Sequence, residues 1–213
     1  MTLPVRVSFK IFTPIVVAVL LSVAALVKSG ANNLHMYDGV RTQDIIAGDV
    51  FFEIIDPPEL EYTYRIRPAK DFGSTFGGSF KVTEGKLVPA IPSDACEPNF
   101  VNERDLKDNI VLVERGECSF LSKAINIEKV GGKAVIITEI DTNSDDYDYY
   151  IEMIHDKTDR DTNIPAAFLL GKNGLIIRRT LTRLNRRYAL VNLPVNLTFV
   201  APHLINQPPW LQW

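Results

Sequence analysis

The stretch "VLVERGECSFLSKAINIEKVGGKAVIIT", residues 111–138, changes its apolar period twice within twenty-eight positions. With Asn109 and Ile110 before it, the run to Glu114 is continuously apolar, as a strand buried on both faces is, and it stops at Arg115-Gly116. From Ser119 the period lengthens. Leu121, Ala124, Ile125 and Glu128 fall at helical spacing, Ser119 is placed to cap the helix N-terminus, and Gly131-Gly132 ends it. "KAVIITEI", 133–140, returns to strand. Connections this short suit a right-handed strand–helix–strand crossover.

Outward from this unit the theme repeats. "AAFLLG" (166–171) reads as strand, "NGLIIRRTLTRL" (173–184) as helix, and "YALVNLPVNLTFV" (188–200) as strand broken at Pro194. Upstream, "DVFFEIID" (49–56) and "ELEYTYRIR" (59–67) are β-rich runs separated by Pro57-Pro58, with Tyr62, Tyr64 and Ile66 alternating as in a half-buried strand. "AKDFGSTFGGSF" (69–80) is a glycine-rich loop, and "KLVPAIP" (86–92) is a short apolar patch leading to Cys96. A third helix is expected near 147–155. The residues alone therefore predict a mixed α/β domain in which a β layer or partial barrel carries helices on one side.

The 213 residues, 46% hydrophobic and 23% charged, suit one folded domain. Residues 1–31 read as a signal peptide: Arg6 and Lys10 precede the uncharged run Ile11 to Val27, and Ser29 and Ala31 stand at −3 and −1 of a cleavage site. A retained anchor is the competing reading. Cleavage would remove three basic residues and no acidic ones, taking the formal charge from −3 to −6 and leaving no stable membrane span. Such a chain lacks the electrostatic footprint of a nucleic-acid binder. Its one basic run, Arg178 to Arg187, alternates with Ile177, Leu181 and Leu184 as an ordinary amphipathic helix does. Residues 32–47 are expected to be a lead-in, 48–200 the domain, and 201–213 a tail carrying Trp210 and Trp213. Its prolines exclude a central strand, and docking onto the domain is favoured over presentation of an aromatic element.

Secretion fixes how the cysteines are read. The chain holds two, Cys96 and Cys118, and an even count in an oxidising compartment reads first as a disulfide, which would stabilise by about 3 kcal/mol in the chain-entropy model. A nucleophilic Cys118 would need a free thiolate and a histidine base, and none of His35, His155 and His203 is placed beside it by sequence. Ser119 lacks the flanking glycines of a nucleophile elbow. No catalytic, cofactor or metal residues are assigned: HExxH and CxxC are missing. "DTNSDDYDYYIE" sets Asp141, Asn143, Asp145 and Glu152 at positions 1, 3, 5 and 12 of a calcium loop, but Asp146 stands where glycine is required and chance spacing is the favoured reading. Asn196 in "NLT" is the single glycosylation sequon.

The series from the apolar strand through Arg-Gly, Cys-Ser-Phe and Lys123 to the Gly pair and second strand resembles the core signature of the protease-associated domain family. "IPAAFLLGKNGLIIRRTL" (164–181) looks like that family's second half. "PAKDFGSTF" (68–76), "IEMIHD" (151–156), "PVNLT" (194–198) and "PPWLQW" (208–213) are similar to a small secreted glycoprotein built from this domain alone. The resemblance implies a three-layer β/β/α sandwich with two main helices, and a non-catalytic module. In larger relatives such domains are joined to peptidases, sorting receptors, ubiquitin ligases or intramembrane proteases.

The expectation is a secreted, N-glycosylated interaction module. Its partner would be a protein or peptide, a peptidase or receptor met in trans. Peptide binding would use the Gly-rich loop 73–78 or an open strand edge. A small hydrolase with a dispersed Ser/His/Asp triad and a calcium-dependent binder are the alternatives.

Overall fold

The computed structural model of the protein describes residues 48–78, 80–140 and 151–210. The expected signal peptide, the lead-in, most of the acidic calcium-like segment and Trp213 lie outside those residues. Among the described residues seven strands are formed: β1 (Val50–Asp56), β2 (Thr63–Pro68), β3 (Val82–Pro89), β4 (Ile110–Glu114), β5 (Ala134–Thr138), β6 (Ala166–Leu169) and β7 (Ala189–Val195). Three α-helices accompany them in the described residues: the single turn α1 (Glu103–Leu106), α2 (Phe120–Lys129) and α3 (Asn173–Arg183).

The expected three-layer sandwich is corrected here, because the sheet closes. Its strands run β1-β2-β6-β5-β4-β3-β7 as a barrel. β3 through β6 are mutually parallel, with registers such as Leu112↔Ile136 and Ile136↔Ala167. The remaining pairs are antiparallel. Closure depends on β7, which pairs with β1 on one side and β3 on the other, each ladder carrying register shifts. Such irregularities bend and twist a strand enough to turn a sheet back on itself. Pro194 does not break β7 as expected. It falls where the register skips between Phe51↔Val195 and Glu53↔Asn192, and no ladder donor is required there.

Alternation along the strands fills the barrel. Phe52, Ile54, Tyr64, Ile66, Leu112, Ile136 and Val191 are among the interior residues, all at 1% exposure or less. The opposite faces of the parallel strands, with Val111, Val113, Val135 and Ile137, pack against Leu121, Ala124 and Ile127 of α2. Burial on both faces is why β4 and β5 read as unbroken apolar runs.

The two main helices do not form one layer. α2 covers the outer wall, whereas Ile177 and Leu181 of α3 join the interior cluster together with Leu60 from the turn Pro58–Leu60. The expected third helix is not seen in its described part, since residues 151–155 are irregular. The tail docks: Trp210 Nε1 donates to Asn173 Oδ1 (2.9 Å) and the indole meets Tyr62 edge-on at 5.3 Å. Asn206 secures the same segment, its carbonyl accepting from Thr63 N and its amide donating to Glu61 O.

Candidate interaction site

Past Glu114 the chain leaves β4 and must reach the first turn of α2 within five residues. Arg115 holds the start of this turn, its backbone N–H donating to Thr138 O and its guanidinium pairing with Glu139 at 2.7 Å. Cys118 is bonded to Cys96, with 5.7 Å between the Cα atoms. The staple expected from the sequence is present, and it leaves Cys118 no thiolate for nucleophilic work. Beneath it lies Lys123, fully buried on α2, whose Nζ donates to Asp94 O (2.5 Å) and Gly116 O (2.6 Å) and reaches Cys96 Sγ at 3.4 Å. Asn126, one turn on, donates to Ala95 O and Cys96 O.

Ser119 caps α2, its Oγ accepting from Ser122 N at 3.1 Å. It also does something that the sequence does not signal. Its hydroxyl donates to Asp156 Oδ2 (2.6 Å), a residue 37 positions away. Asp156 further accepts from the Thr158 hydroxyl at 2.6 Å and from Arg160 Nη2 at 2.7 Å, and Arg160 Nη2 also donates to Ser122 Oγ. The Ser119 hydrogen bond, then those from Thr158 and the Arg160 charge, hold the Asp156 carboxyl well below the usual carboxylate range. "DKTDR" is a recognisable Asx and Ser/Thr turn in sequence, but its docking point on α2 is not.

This arrangement brings a serine, an aspartate and a histidine together without making a relay. His155 Nδ1 accepts from Lys157 N (3.0 Å), and Nε2 lies 2.8 Å from Arg160 O, so the ring is committed to backbone on both sides. With Nδ1 accepting, Nε2 carries the proton and donates. The Ser119 hydroxyl meets a carboxylate rather than an imidazole, so this serine has no base of the kind acyl transfer needs.

Replacing Ser119 by alanine is expected to cost about 1 kcal/mol through the lost cap. It should also move the Asp156 carboxyl up toward its ordinary value. A carboxylate lowered on folding stabilises above its unfolded pKa, and that contribution disappears as pH falls through the folded one. The carboxylate part of the Ser119→Ala deficit should therefore be present at neutral pH and shrink in acid. A carbon-detected NMR titration of Asp156 in the two proteins reads the shift directly.

The Gly-rich loop lies along the segment 151–165. Lys70 N donates to Met153 O, His155 N to Asp71 Oδ1 (2.6 Å), Gly73 N to Asp161 Oδ1 (3.1 Å) and Ser74 N to Ile164 O. Gly73 has φ +72°, and a Cβ there would sit 2.7 Å from Ile164 O, so the close approach requires glycine. Lys70 also pairs with the exposed Glu152 at 3.3 Å. Ile154 stands half exposed on the outer side of this paired loop. The alternative peptide site, an open strand edge, is corrected by the closure of the barrel: each described strand is paired on both sides.

Asn196 is exposed one residue beyond the end of β7, not within the strand. Its Oδ1 accepts from Thr198 N (3.0 Å) and Thr198 Oγ1 (2.6 Å), which draws the sequon into a turn. Among the described residues no group of three or more His, Cys, Asp or Glu could hold a metal ion, and no helix is long and apolar enough to cross a membrane.

Residues 82–177, from β3 into α3, match the family model described as the PA domain. Because a protein 58% identical over 174 residues pairs with 82% of this chain and 87% of its own length, the chain belongs to the family of protease-associated domain proteins. That relative is the PRADC1-like protein of Drosophila melanogaster. Larger proteins are similar over a shorter stretch. Signal peptide peptidase-like 2 of Arabidopsis thaliana is 34% identical over 108 residues, 51% of this chain and 19% of that protein. ER degradation-enhancing alpha-mannosidase-like protein 3 of Homo sapiens is 33% identical over 99 residues, 46% and 10% respectively. Among solved structures, the aminopeptidase from Aneurinibacillus sp. strain AM-1 superposes with a TM-score of 0.46 at 21% identity, over 68% of this chain and 30% of that one.

Proposed function

We propose that the protein is a secreted, N-glycosylated, non-catalytic interaction module that meets a peptide or protein partner in the secretory pathway or outside the cell. The observation that carries this reading is the condition of its reactive-looking residues. Cys118 is spent in a disulfide, Ser119 is bonded to a carboxylate, and both ring nitrogens of His155 are held by backbone. One surface it can present is the paired loop formed by 69–78 and 151–163, held by hydrogen bonds and bearing the exposed Ile154. The Drosophila relative supports the reading because it is similar along nearly its whole length and not over one segment of a larger enzyme.

Expression of the full chain with a C-terminal tag in secreting cells tests this. The protein should be recovered from the medium and lose mass on enzymatic deglycosylation, a loss that Asn196→Gln abolishes. Affinity purification should yield a stoichiometric peptidase or receptor, which Ile154→Asp releases. A fluorophosphonate should leave the purified protein unlabelled. Stoichiometric labelling of any serine would establish the hydrolase alternative instead, and retention of the unglycosylated chain in the cytosol would remove the secretory reading.

A further inference from the structure

We propose that the Cys96–Cys118 bond is a thiol–disulfide exchange site, attacked at Cys118, in which Lys123 receives Cys96 as the leaving thiolate. Such exchange would occur whether or not the protein is an interaction module. The fold buries a charge that it does not need. α2 packs Leu121, Ala124 and Ile127 against the barrel, yet on the same helix it buries a lysine at 0% exposure beside the buried Asn126. A buried ammonium is costly unless every donor is engaged. Here two are taken by Asp94 O and Gly116 O, and the third points at a sulfur, Cys96 Sγ, 3.4 Å away. Burial pushes the Lys123 ammonium pKa down, and the carboxylates of Asp94, Glu117 and Glu114 offset only part of that, so it is the hydrogen-bond geometry that aims the ammonium at Cys96.

A cation beside one sulfur makes the two ends of a disulfide unequal. The thiol whose anion is better stabilised leaves faster, so attack is directed to the other sulfur. Lys123 touches Cys96 and not Cys118, and it lies wholly beneath the surface, so it blocks one side of Cys96 while favouring its departure. Both cysteines are half-buried, Cys118 next to the exposed Glu117 and Cys96 next to the exposed Glu97, so the position of the ammonium and not exposure sets the direction of attack. An external thiolate forms a bond to Cys118 Sγ as the Cys118–Cys96 bond breaks, and the electron pair goes to Cys96 Sγ. If the attacker is a dithiol, its second thiolate then displaces Cys118. The dithiol is oxidised to a disulfide, and Cys96 and Cys118 are left reduced.

The surrounding structure lets this happen without unfolding. The segment that carries Cys96 is also held by Asn126 to Ala95 O and Cys96 O, and by Asn102 to Pro89 O and Ile91 N. Val101 N donates to Ile91 O at 2.7 Å, and both side chains are exposed. Opening the disulfide therefore loosens a surface segment bearing two apolar side chains while the barrel stays closed.

The test uses the oxidised full chain and reduced glutathione under native conditions, with acid quenching, alkylation and peptide mapping. The expected result is a glutathione adduct on Cys118 and alkylation on Cys96, formed while the tryptophan emission stays native. Lys123→Met should slow adduct formation about tenfold, and Lys123→Arg should restore most of it. An adduct on Cys96, exchange no faster than global unfolding, or an unchanged rate in Lys123→Met would each overturn the assignment. Should Lys123→Met not fold, the adduct position and exchange rate of the unaltered chain decide alone.

Discussion

Truncation of Phe52 to alanine is expected to lower the stability of the protein by about 4 kcal/mol. The ring lies inside the barrel at 0% exposure, stacked on Tyr64 with centroids 5.0 Å apart and planes at 15°. Whether such a deletion is mild or severe depends on how far the neighbours can move into the space. Here the nearest neighbour cannot follow. The Tyr64 hydroxyl donates to Leu60 O at 3.0 Å in the turn Pro58–Leu60, and moving the ring inward would break a buried hydrogen bond. Burial also pushes the Tyr64 phenol well above its ordinary pKa, so ionisation gives it no way out.

The closed barrel adds a second restraint, because no sheet edge is free to swing inward. Phe52→Leu retains most of the volume and should cost only about 1.5 kcal/mol. Urea unfolding followed by circular dichroism separates the cases. A lower midpoint at unchanged slope is expected for Phe52→Ala, and a loss below about 1.5 kcal/mol would show that the interior collapses after all.

How much of this was legible in the sequence follows from how local each determinant is. The unit from Ile110 to Thr138 was readable because its signals are short-range: two apolar runs, a serine cap and a glycine pair. The disulfide was readable from an even cysteine count taken together with the expectation of a signal peptide. β3 was not, because Val82 to Lys86 are mostly exposed and only Leu87 and Val88 are buried, so half of a strand passed for an isolated apolar patch.

Barrel closure was invisible for a different reason. It rests on pairings such as Glu53↔Asn192, about 140 residues apart, and on register shifts that leave no pattern in composition. The same holds for the site. Ser119 was legible as a cap and illegible as the partner of Asp156, and Lys123 gave no sign that its ammonium would end against Cys96. Pro194 misled because its meaning depends on the register it occupies, which only the folded sheet defines.

The second large effect is expected from Gly174→Ala, and propensity alone would give it the wrong sign. Alanine is favoured over glycine in a helix interior by about 1 kcal/mol, and Gly174 is the second residue of α3. Packing opposes this. A Cβ at Gly174 would lie 1.9 Å from Thr138 Oγ1, 2.3 Å from its Cβ and 2.5 Å from its Cγ2, distances that no rotamer change relieves. Thr138 is itself buried at 0% exposure in β5, paired to Glu114 and Leu169, so the strand cannot yield.

The helix must move instead, and its neighbours are coupled to it. Asn173 holds Trp210 and donates to Leu170 O, while Ile177 and Leu181 fill the interior. Overpacking of this kind costs about 3 kcal/mol, which outweighs the propensity gain. Trp210 emission should shift to the red as the indole loses Asn173 and the edge of Tyr62. The double variants identify the cause. Thr138→Ser keeps the offending Cβ and should not rescue Gly174→Ala, whereas Thr138→Gly removes it and should recover a large part of the loss. Equal rescue by serine and glycine would show that the Thr138 methyl group, and not the approach of the two backbones, sets the position of α3.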